Sequence, residues 1–257
     1  MTDLKKLPNF IILAAGRGSR LKNTTKNIPK GLVEINKGQS ILDFQINILR
    51  KYKNTKIYLV VGYKSKKIID HFKNQNLIYI KNKFWNKSNM FYSLMCADNL
   101  LKKSEFIVLY SDIIYSKNII DKMILEKSNL SVAYDINWLN LWKKRFTKPE
   151  LDAESFYIDK RNVIKEIGGN IKKNDIKKIN GQYMGIIKIY PKAWSLIKKI
   201  FTKKESRKLH LTHVFNRIIN KGLLKIKGVK NIYPWYEIDN NKDLKIAKLN
   251  MKSKYGN

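Results

Sequence analysis

A glycine-rich, basic segment near the start of the chain has the composition of a phosphate-binding loop. Residues 16–20 read Gly-Arg-Gly-Ser-Arg, and Pro29 and Lys30 follow shortly afterwards. Glycines let the backbone approach a ligand closely, and successive N–H groups in such a turn can surround phosphate oxygens. Arginine and lysine side chains add the positive charge that a triphosphate attracts. The segment therefore indicates a nucleoside-triphosphate site, although a strand followed by a basic turn would share this composition.

Two familiar phosphate-binding motifs are excluded by the residues around these glycines. A P-loop ends in Gly-Lys-Ser or Gly-Lys-Thr, and no such pattern follows Gly18. The dinucleotide-binding fingerprint needs a third glycine and a helix directly after it, and neither is indicated here.

Two aspartates are candidates for holding a metal ion beside the loop. Asp112 follows an apolar run at 106–110, and Asp239 ends the segment 235–239. The glycine-rich loop itself follows an apolar run at 10–15. Because the carboxyl ends of parallel strands lie at one edge of a sheet, the loop and Asp112 can share one site. Mg²⁺ is typically held by one or two carboxylates together with substrate phosphates, although an aspartate at a strand end can also be a simple turn residue.

The elements around these residues alternate between strands and helices. Apolar runs predict strands at 10–15, 57–63, 77–80, 106–110, 130–134, 156–158 and 184–189. Helical spacing of apolar residues predicts helices at 41–53, 65–72, 89–101, 194–201 and 211–220. The predicted fold class is therefore α/β, with a mostly parallel, mixed central sheet flanked by helices.

Length and composition indicate one globular domain over residues 1–257. Hydrophobic residues make up 44% of the chain and charged residues 28%, and no Ser-, Gly- or Pro-rich linker divides it. We expect a nucleotide-binding half at about 9–128 and an acceptor-binding half at about 129–250. The single cysteine, Cys96, excludes an internal disulfide framework. Without a signal-peptide pattern or a membrane-spanning run, the chain is expected to be cytoplasmic.

The formal charge of +33 raises the question of nucleic-acid binding. The lysines are spread along nearly the whole chain instead of forming one basic arm. Basicity without a recognised binding motif is only an electrostatic footprint, so a nucleic-acid-binding protein is the disfavoured alternative. The positive potential would help to attract an anionic nucleotide.

The first loop also resembles that of a known enzyme family. Residues 13–21, with Thr25, Pro29 and Lys30, are similar to the start of the nucleoside-triphosphate transferases that activate sugar phosphates and phosphocholine. Asn23 and Thr24 stand where that family often has proline and leucine.

This resemblance implies a Rossmann-like, GT-A-type nucleotidyltransferase and gives individual residues a role. Lys30, Arg20 and Asp112 would be catalytic, and Asp112 and Asp239 would bind Mg²⁺. The nucleotide would be bound by Leu13, Ala14, Ala15, Gly16, Arg17, Gly18, Ser19 and Asn89. Asn89 has an equally good alternative role as the N-cap of the helix that follows it.

Further segments narrow the resemblance to cytidylyltransferases. Residues 61–63, 89–94 and 236–239 are similar to segments of phosphocholine cytidylyltransferases. In the middle of the chain the similarity is to cytidylyltransferases that act on phosphonates such as 2-aminoethylphosphonate, or on phosphorylated glutamine; it covers Trp138, 142–146, Pro149, 152–154 and 181–185. The resemblance thus implies CTP-dependent transfer of CMP to a small phosphorylated or phosphonate metabolite, with release of pyrophosphate, in capsule or cell-surface biosynthesis.

Several residues of the second half are candidates for binding that acceptor. Asp152 and Glu154 would point the same way in an extended segment and could hold an ammonium or amide group. Arg145 and Lys188 could bind phosphoryl or phosphonyl oxygens. The remaining candidates are Gln182, Tyr183, Trp138, Trp142, Trp235 and Tyr236. Large aromatics and paired arginines are also common in protein cores, so a structural role stays open for each.

Two other enzyme classes remain as alternatives. A sugar-1-phosphate nucleotidyltransferase using UTP or dTTP would share the first loop, but Glu-Ile-Gly-Gly at 166–169 stands near the place of the Glu-Lys-Pro segment of that branch. A glycosyltransferase on the related nucleotide-sugar fold usually has an Asp-x-Asp pair, whereas this chain has Ser-Asp-Ile at 111–113. The expected partners are CTP and the acceptor, with no nucleic acid and no membrane, and a homodimer is left open.

Overall fold

The glycine-rich loop and Asp112 each follow the carboxyl end of a strand in the central β-sheet. The computed structural model describes residues 7–171 and 173–255 of the chain. Its strands are β1 (Asn9–Ala14), β2 (Glu34–Asn36), β3 (Gln39–Ser40), β4 (Ile57–Val61), β5 (Ile78–Lys81), β6 (Phe106–Tyr110), β7 (Ile113–Tyr115), β8 (Leu130–Asp135), β9 (Glu154–Ile158), β10 (Ile164–Asn170), β11 (Gln182–Ile189), β12 (Lys227–Asn231) and β13 (Trp235–Glu237). Seven strands of this part of the chain form the central sheet, in the order β12-β8-β11-β6-β1-β4-β5.

Parallel pairing in the middle of the sheet explains the long apolar runs of the sequence. β1 pairs in parallel with β4 on one side and with β6 on the other. β11 runs antiparallel to both of its neighbours, β6 and β8. Strands in the middle of such a sheet are covered on both faces, so residues 10–14 and 57–61 are buried. The predicted α/β class with a mostly parallel, mixed sheet is confirmed.

The helices pack through apolar faces set by their sequences. They are α1 (Ile41–Leu49), α2 (Ser65–His71), α3 (Met90–Met95), α4 (Asp98–Leu101), α5 (Lys117–Leu125), α6 (Trp138–Arg145), α7 (Pro191–Ile200), α8 (Lys203–Ser206), α9 (Leu211–Asn220) and α10 (Asn241–Tyr255). Short 3-10 helices lie at Ser19–Thr25, Lys30–Leu32, Trp85–Lys87, Pro149–Leu151 and Lys173–Lys178. α1 begins at a capping box, in which Ser40 and Asp43 each accept a hydrogen bond from the backbone N–H of the other. Across 7–171 and 173–255, no helix has the length and apolar character needed to cross a membrane.

A second, smaller apolar cluster supports the segments that carry the candidate site residues. Leu21, Ile114 and Ile238 are buried in this cluster. Each of them lies within two residues of a charged residue that the sequence predicts for the site. Antiparallel pairing of β7 with β13 brings two of these segments side by side. Burial of the apolar neighbours therefore places the charged side chains.

Several predicted boundaries differ from the observed ones. The helix predicted at 89–101 is two short helices, α3 and α4, interrupted at Cys96 and Ala97. The helix predicted at 41–53 ends at Leu49, and the strand predicted at 57–63 ends at Val61. The strand predicted at 77–80 is shifted to 78–81, whereas the helix predicted at 211–220 has the observed bounds. The sequence did not indicate β2, β3, β7, β10, β12, β13, α5, α6, α8 or α10.

Lys188 lies at the end of β11 that is far from Asp112. It is in register with Ile107 near the start of β6, and its side chain is fully buried. Its Nζ is 2.8 Å from Oε1 of Glu105 and donates to the carbonyl oxygens of Ile124 and Glu126. The prediction that Lys188 binds acceptor oxygens is therefore wrong, because its ammonium group is already paired inside the core.

We expect Lys188→Met to lower the free energy of unfolding by about 3 kcal/mol, because Glu105 and two carbonyl groups lose their shared cation. Urea denaturation followed by circular dichroism measures this change. Lys192→Ala, at an exposed position near the start of α7, is the matched control and should change the free energy by less than about 0.5 kcal/mol. Equal stability of the Lys188→Met and wild-type proteins would contradict the structural role of Lys188.

Candidate active site

The glycine-rich loop follows the carboxyl end of β1, and the side chain of Lys30 packs against it. Gly18 has a φ of 70°, in the left-handed region that favours glycine. A Cβ atom at Gly18 would lie 2.7 Å from Cδ of Lys30. The Oγ1 hydroxyl of Thr25 donates to the carbonyl oxygen of Gly18 at 2.8 Å and closes the loop. The loop thus has a glycine where the lysine side chain crosses it.

Asp112 lies in the turn between β6 and β7, and Gln45 of α1 holds this turn. Nε2 of Gln45 donates to the carbonyl oxygens of Tyr110 at 2.8 Å and Ile113 at 2.7 Å, one on each side of Asp112. Gln45 is fully buried. The carbonyl oxygen of Asp112 accepts from the backbone N–H of Ile238 at 2.9 Å. The turn is therefore fixed from α1 on one side and from the end of β13 on the other.

The ammonium group of Lys30 lies between two carboxylates. Its Nζ donates to Oδ2 of Asp112 at 2.7 Å and to Oδ1 of Asp239 at 2.9 Å. Burial disfavours the charged lysine, but the two carboxylates outweigh this effect and raise the pKa of Lys30 above its ordinary value. The ammonium group therefore stays charged and joins three segments that are distant in the sequence.

Asp239 is surrounded by cations. Its Oδ1 also accepts from Nη2 of Arg20 at 2.8 Å, and its Oδ2 accepts from Nη2 of Arg145 at 3.3 Å. Burial opposes ionisation of Asp239, but the charges of Lys30 and Arg20 prevail and lower its pKa. The side chain of Arg20 is 67% exposed, so its guanidinium group is accessible to a ligand from solvent.

Two adjoining cavities open beside these charges. The smaller, of about 220 Å³, lies over the glycine-rich loop, and Lys30 lines it. The larger, of about 380 Å³, extends to residues of the second half of the chain. Gly16, Arg20, Asp112 and Asp239 line both cavities. The charged residues therefore lie where the compartment over the loop meets the larger compartment, which residues from both halves of the chain line.

The first-half residues predicted to bind the nucleotide are mostly in the walls of these cavities. Leu13, Ala15, Gly16, Gly18 and Ser19 line the smaller cavity. Two others do not reach it: Ala14 is buried in β1, and the guanidinium of Arg17 lies 5.7 Å from the centre of the Tyr63 ring.

The part of the larger cavity lined by Asp152 and Glu154 is acidic. Gln182 also lines it, and its amide exchanges hydrogen bonds of 2.6 and 3.1 Å with the backbone of Glu154. Oε1 of Glu154 accepts from Oγ1 of Thr212 at 3.4 Å, and Oδ2 of Asp152 accepts from Nε1 of Trp142 at 3.0 Å. Burial raises the pKa of both carboxyl groups. Within the described chain neither carboxylate forms an ion pair, so this part of the cavity can accept a cationic group.

Lys188 and Tyr236 do not line the larger cavity, and three more predicted acceptor ligands lie outside it. Trp138 and Trp235 are buried in the main core, and Nε1 of Trp235 donates to Oδ2 of Asp135 at 2.8 Å. The guanidinium of Arg145 is enclosed by acidic side chains, and its side chain is 1% exposed. As predictions of acceptor contact these three are wrong, because each side chain is committed to partners in the interior. Tyr183, by contrast, lines the cavity with Gln182.

Asn89 links the two halves of the chain. It precedes α3, but its side chain does not cap that helix. Its Nδ2 donates to the carbonyl oxygen of Lys208 at 3.0 Å. Its backbone N–H donates to the carbonyl oxygen of Arg207 at 2.7 Å. Asn89 therefore occupies the predicted N-cap position of α3, but without a side-chain capping hydrogen bond. Asn89 lines the larger cavity, so its contact with the nucleotide stays a prediction.

Sequence reasoning missed several residues of the cavity wall. They are Trp85, Ser88, Met90, Ser93, Tyr110, His210, Thr212 and Glu237. Some lie in segments already noted for their resemblance, and Ser93 is one helical turn after Asn89, so helix geometry was an available signal for it. His210 and Thr212 offered no local signal, because the packing of β10 against α9 brings them to the site.

One observation at Asp112 favours a divalent cation at this carboxylate, next to Asp239. Oδ1 of Asp112 is buried and has no hydrogen-bond partner in this structure. Carboxylate oxygens are the ligands that Mg²⁺ prefers, and one or two of them with substrate phosphates form a typical site. Over the residues that the structure describes, no set of three or more His, Cys, Asp or Glu side chains is arranged to hold a metal ion.

Comparisons with known proteins match the chain to nucleotide-transferring enzymes. The family described as the MobA-like NTP transferase domain matches residues 10–137. The CTP:phosphoglutamine cytidylyltransferase of Campylobacter jejuni is 32% identical over 254 residues, which cover 93% of this chain and 98% of that protein. The bifunctional protein GlmU of Methanococcus aeolicus is 29% identical over 261 residues, which cover 96% of this chain but 57% of that protein.

A solved structure supports the same fold. The inositol-1-phosphate CTP transferase of T. maritima superposes with a TM-score of 0.74 over 98% of both chains. Its sequence identity to this chain is 23%, so the likeness concerns the fold.

We expect Lys30→Gln to lower the free energy of unfolding by about 3–5 kcal/mol at pH 7, because two buried carboxylates lose their shared cation. Lys30 helps to lower the pKa of Asp239, and stabilisation of this kind is present above the ordinary carboxyl pKa and lost as the pH falls through the native value. The deficit should therefore be full at pH 7 and shrink below about pH 4. Urea denaturation across this range measures it, with Lys26→Gln, at an exposed position in the same loop, as the control. A deficit that is absent at pH 7 would contradict this account.

Proposed function

The chain belongs to the MobA-like family of nucleoside-triphosphate transferases, and we propose that it is a CTP-dependent cytidylyltransferase. In the proposed reaction CMP is transferred to a small phosphorylated or phosphonate metabolite, and pyrophosphate is released. The observation that carries this proposal is the position of Lys30, Arg20, Asp112 and Asp239 where the two cavities adjoin. A nucleotide bound over the glycine-rich loop and an acceptor in the larger cavity would meet at these charges.

The transfer depends on positioning and charge neutralisation, and it needs no protein nucleophile. A phosphoryl or phosphonyl oxygen of the acceptor attacks the α-phosphorus of CTP. The new oxygen–phosphorus bond forms as the bond to the bridging oxygen breaks, and the electron pair of that bond leaves with pyrophosphate. The attacking oxygen is already anionic at neutral pH, so no general base is required.

Lys30 and Arg20 are assigned to the charge of the triphosphate. Lys30 can exchange a carboxylate for a phosphate oxygen, and the exposed Arg20 can reach the β- and γ-phosphates. Both cations would stabilise negative charge that develops as the α-phosphate reacts. Asp112 and Asp239 would hold Mg²⁺, which supplies further neutralisation of the phosphates when it is bound.

The acidic part of the larger cavity supports an acceptor that carries an ammonium group. Asp152 and Glu154 are partly desolvated and lack ion-pair partners in the described chain, so a cationic ligand would relieve the cost of their ionisation. Carboxylates bind N–H donors directly, whereas a quaternary ammonium is better held by several aromatic faces. With two of the predicted tryptophans in the core, Trp142 is the indole next to these carboxylates. The two carboxylates favour a primary amine here because they can accept its N–H groups, while Tyr110, Trp142 and Tyr183 also line the cavity.

The choice of CTP is supported by the similarity to the CTP:phosphoglutamine cytidylyltransferase, which extends over nearly the whole chain. By the resemblance of the first loop, the base would lie against the backbone of residues 13–16. The division into halves at about 9–128 and 129–250, the cytoplasmic location, the homodimer and a role in cell-surface biosynthesis stay predictions.

Pyrophosphate release in the presence of Mg²⁺ tests the proposed function. We expect CTP, and not UTP, dTTP, ATP or GTP, to support turnover with 2-aminoethylphosphonate or phosphoglutamine, and with phosphocholine less well. Asp112→Asn should lower kcat by about 100-fold or more, since it removes charge where the phosphates are neutralised. Asp70→Asn, an exposed change on α2, should have no effect. Turnover with glucose 1-phosphate and UTP or dTTP would show that the enzyme is a sugar-phosphate nucleotidyltransferase. If no pair of nucleotide and acceptor releases pyrophosphate, the proposal is rejected.

Glu154→Gln should raise the acceptor KM by about 10- to 100-fold, because a hydrogen bond to a charged group is replaced by a neutral one of similar shape. The kcat value should change by less than about threefold, since Glu154 is assigned to binding and not to the reacting atoms. Steady-state kinetics with varied acceptor at saturating CTP measures both constants. Glu34→Gln, at an exposed position on β2, is the control. An unchanged acceptor KM in Glu154→Gln would remove this residue from the acceptor site.

A further inference from the structure

Arg145, the last residue of α6, lies at the centre of a group of carboxylates, of which Asp239 and Asp243 are buried and Glu237 lines the larger cavity. Its Nη1 donates to Oε2 of Glu237 at 2.9 Å, and its Nε donates to Oδ1 of Asp243 at 3.0 Å. Its Nη2 donates to Oδ2 of Asp239 at 3.3 Å. One guanidinium group therefore holds together the end of β13, the start of α10 and the candidate metal ligand between them.

The two carboxylate oxygens of Asp239 have different partners. Oδ1 accepts from Lys30 and Arg20, which line the smaller cavity. Oδ2 accepts from Arg145, whose side chain is 1% exposed. Rotation of this carboxylate would break a charge-assisted hydrogen bond in the interior. Arg145 therefore fixes the plane of the Asp239 carboxylate, with one oxygen directed to the interior and the other toward the smaller cavity.

Asp243 extends the same restraint to the main chain. Its Oδ2 accepts from the backbone N–H of Asp239 at 3.0 Å and from that of Asn240 at 3.2 Å. Its Oδ1 accepts from Arg145, and its side chain is 1% exposed. Arg145 and Asp243 together hold both the backbone and the side chain of Asp239.

The charge of Arg145 also balances its neighbours. Its Nη1 and Nε groups are paired with Glu237 and Asp243, so carboxylates match its charge on two sides. Without this cation, buried Asp243 would lose its ion-pair partner beside Glu237, and Asp239 would keep only Lys30 and Arg20. Carboxylates in that situation repel one another and bind protons or move apart.

We propose that Arg145 is a positioning residue for the transfer reaction, which it supports by orienting the carboxylate of Asp239. It does not contact the acceptor, because its donors are used by carboxylates in the interior. This inference rests on the proposed function, in which Asp239 is a metal ligand, and it assigns to Arg145 the geometry of that ligand.

Arg145→Lys tests the proposal, because lysine keeps the positive charge but lacks the planar fork that reaches several carboxylates at once. We expect the affinity of the whole protein for Mn²⁺, measured by electron paramagnetic resonance without nucleotide or acceptor, to fall by about tenfold or more. In steady-state assays kcat should fall by a similar factor, while the acceptor KM changes by less than about threefold.

Two further variants separate positioning from stability. Lys188→Met is the matched control: it removes a buried cation from its carboxylate at the far end of β11, so it should lower stability and leave Mn²⁺ affinity unchanged. Asp243→Asn leaves Arg145 in place but removes the charge of its anchor. It should weaken Mn²⁺ binding in the same direction as Arg145→Lys, and it decides the question if Arg145→Lys does not fold.

Three outcomes would overturn the proposal. A higher acceptor KM with unchanged Mn²⁺ affinity would make Arg145 an acceptor ligand. A loss of stability alone, as expected for Lys188→Met, would make its role purely structural. If the wild-type protein does not bind Mn²⁺, there is no metal affinity that Arg145 could increase, and the proposal fails. If the wild-type protein binds Mn²⁺ but releases no pyrophosphate with any acceptor, the proposed function fails while the Mn²⁺ comparison still decides the role of Arg145.

Discussion

An ammonium group shared by two carboxylates is the interaction on which the site depends. Lys30 follows the glycine-rich loop, Asp112 lies in the turn after β6, and Asp239 follows the end of β13. The Nζ atom of Lys30 is within hydrogen-bonding distance of both carboxylates. A charge taken out of water is costly unless it is paired, and removal of one member of such a group leaves the others uncompensated. The three segments must therefore be held in register, and the loop, the turn and the start of α10 are built to do so.

Ion pairs alone could not gather these segments, because desolvation offsets much of what they gain. The apolar cluster that contains Leu21, Ile114 and Ile238 supplies the missing stabilisation through the burial of apolar surface. Gln45 fixes the conformation of the turn that contains Asp112, because its amide donates hydrogen bonds to the backbone on both sides of that residue. The site is thus a set of charged side chains on a frame of apolar neighbours.

The local part of this arrangement could be predicted from the sequence, and the part that depends on distant partners could not. Lys30 and Asp112 belong to short patterns at the ends of strands, so their neighbours in the chain reveal their place. Arg145 and Lys188 have the same residue types as phosphate ligands, but their carboxylate partners lie far away in the sequence. No window of the sequence contains both members of such a pair. His210 is in the cavity wall for a similar reason, because packing between distant elements and not a local pattern brings it there.

The close approach of Gly18 to Lys30 makes these two positions epistatic. A side chain at position 18 would meet the Cβ, Cγ and Cδ atoms of Lys30 at 2.7–2.9 Å, and it would also have to adopt a left-handed backbone conformation. Part of the loss of stability or activity that a substitution at Gly18 causes is therefore due to displacement of the Lys30 side chain. Where Lys30 is shortened to alanine, the clashes with Cγ and Cδ disappear, while the clash with Cβ and the backbone cost of about 1–2 kcal/mol remain. Substitutions at the two positions would do less damage together than the sum of their separate effects, so the tolerance of one position depends on the residue at the other.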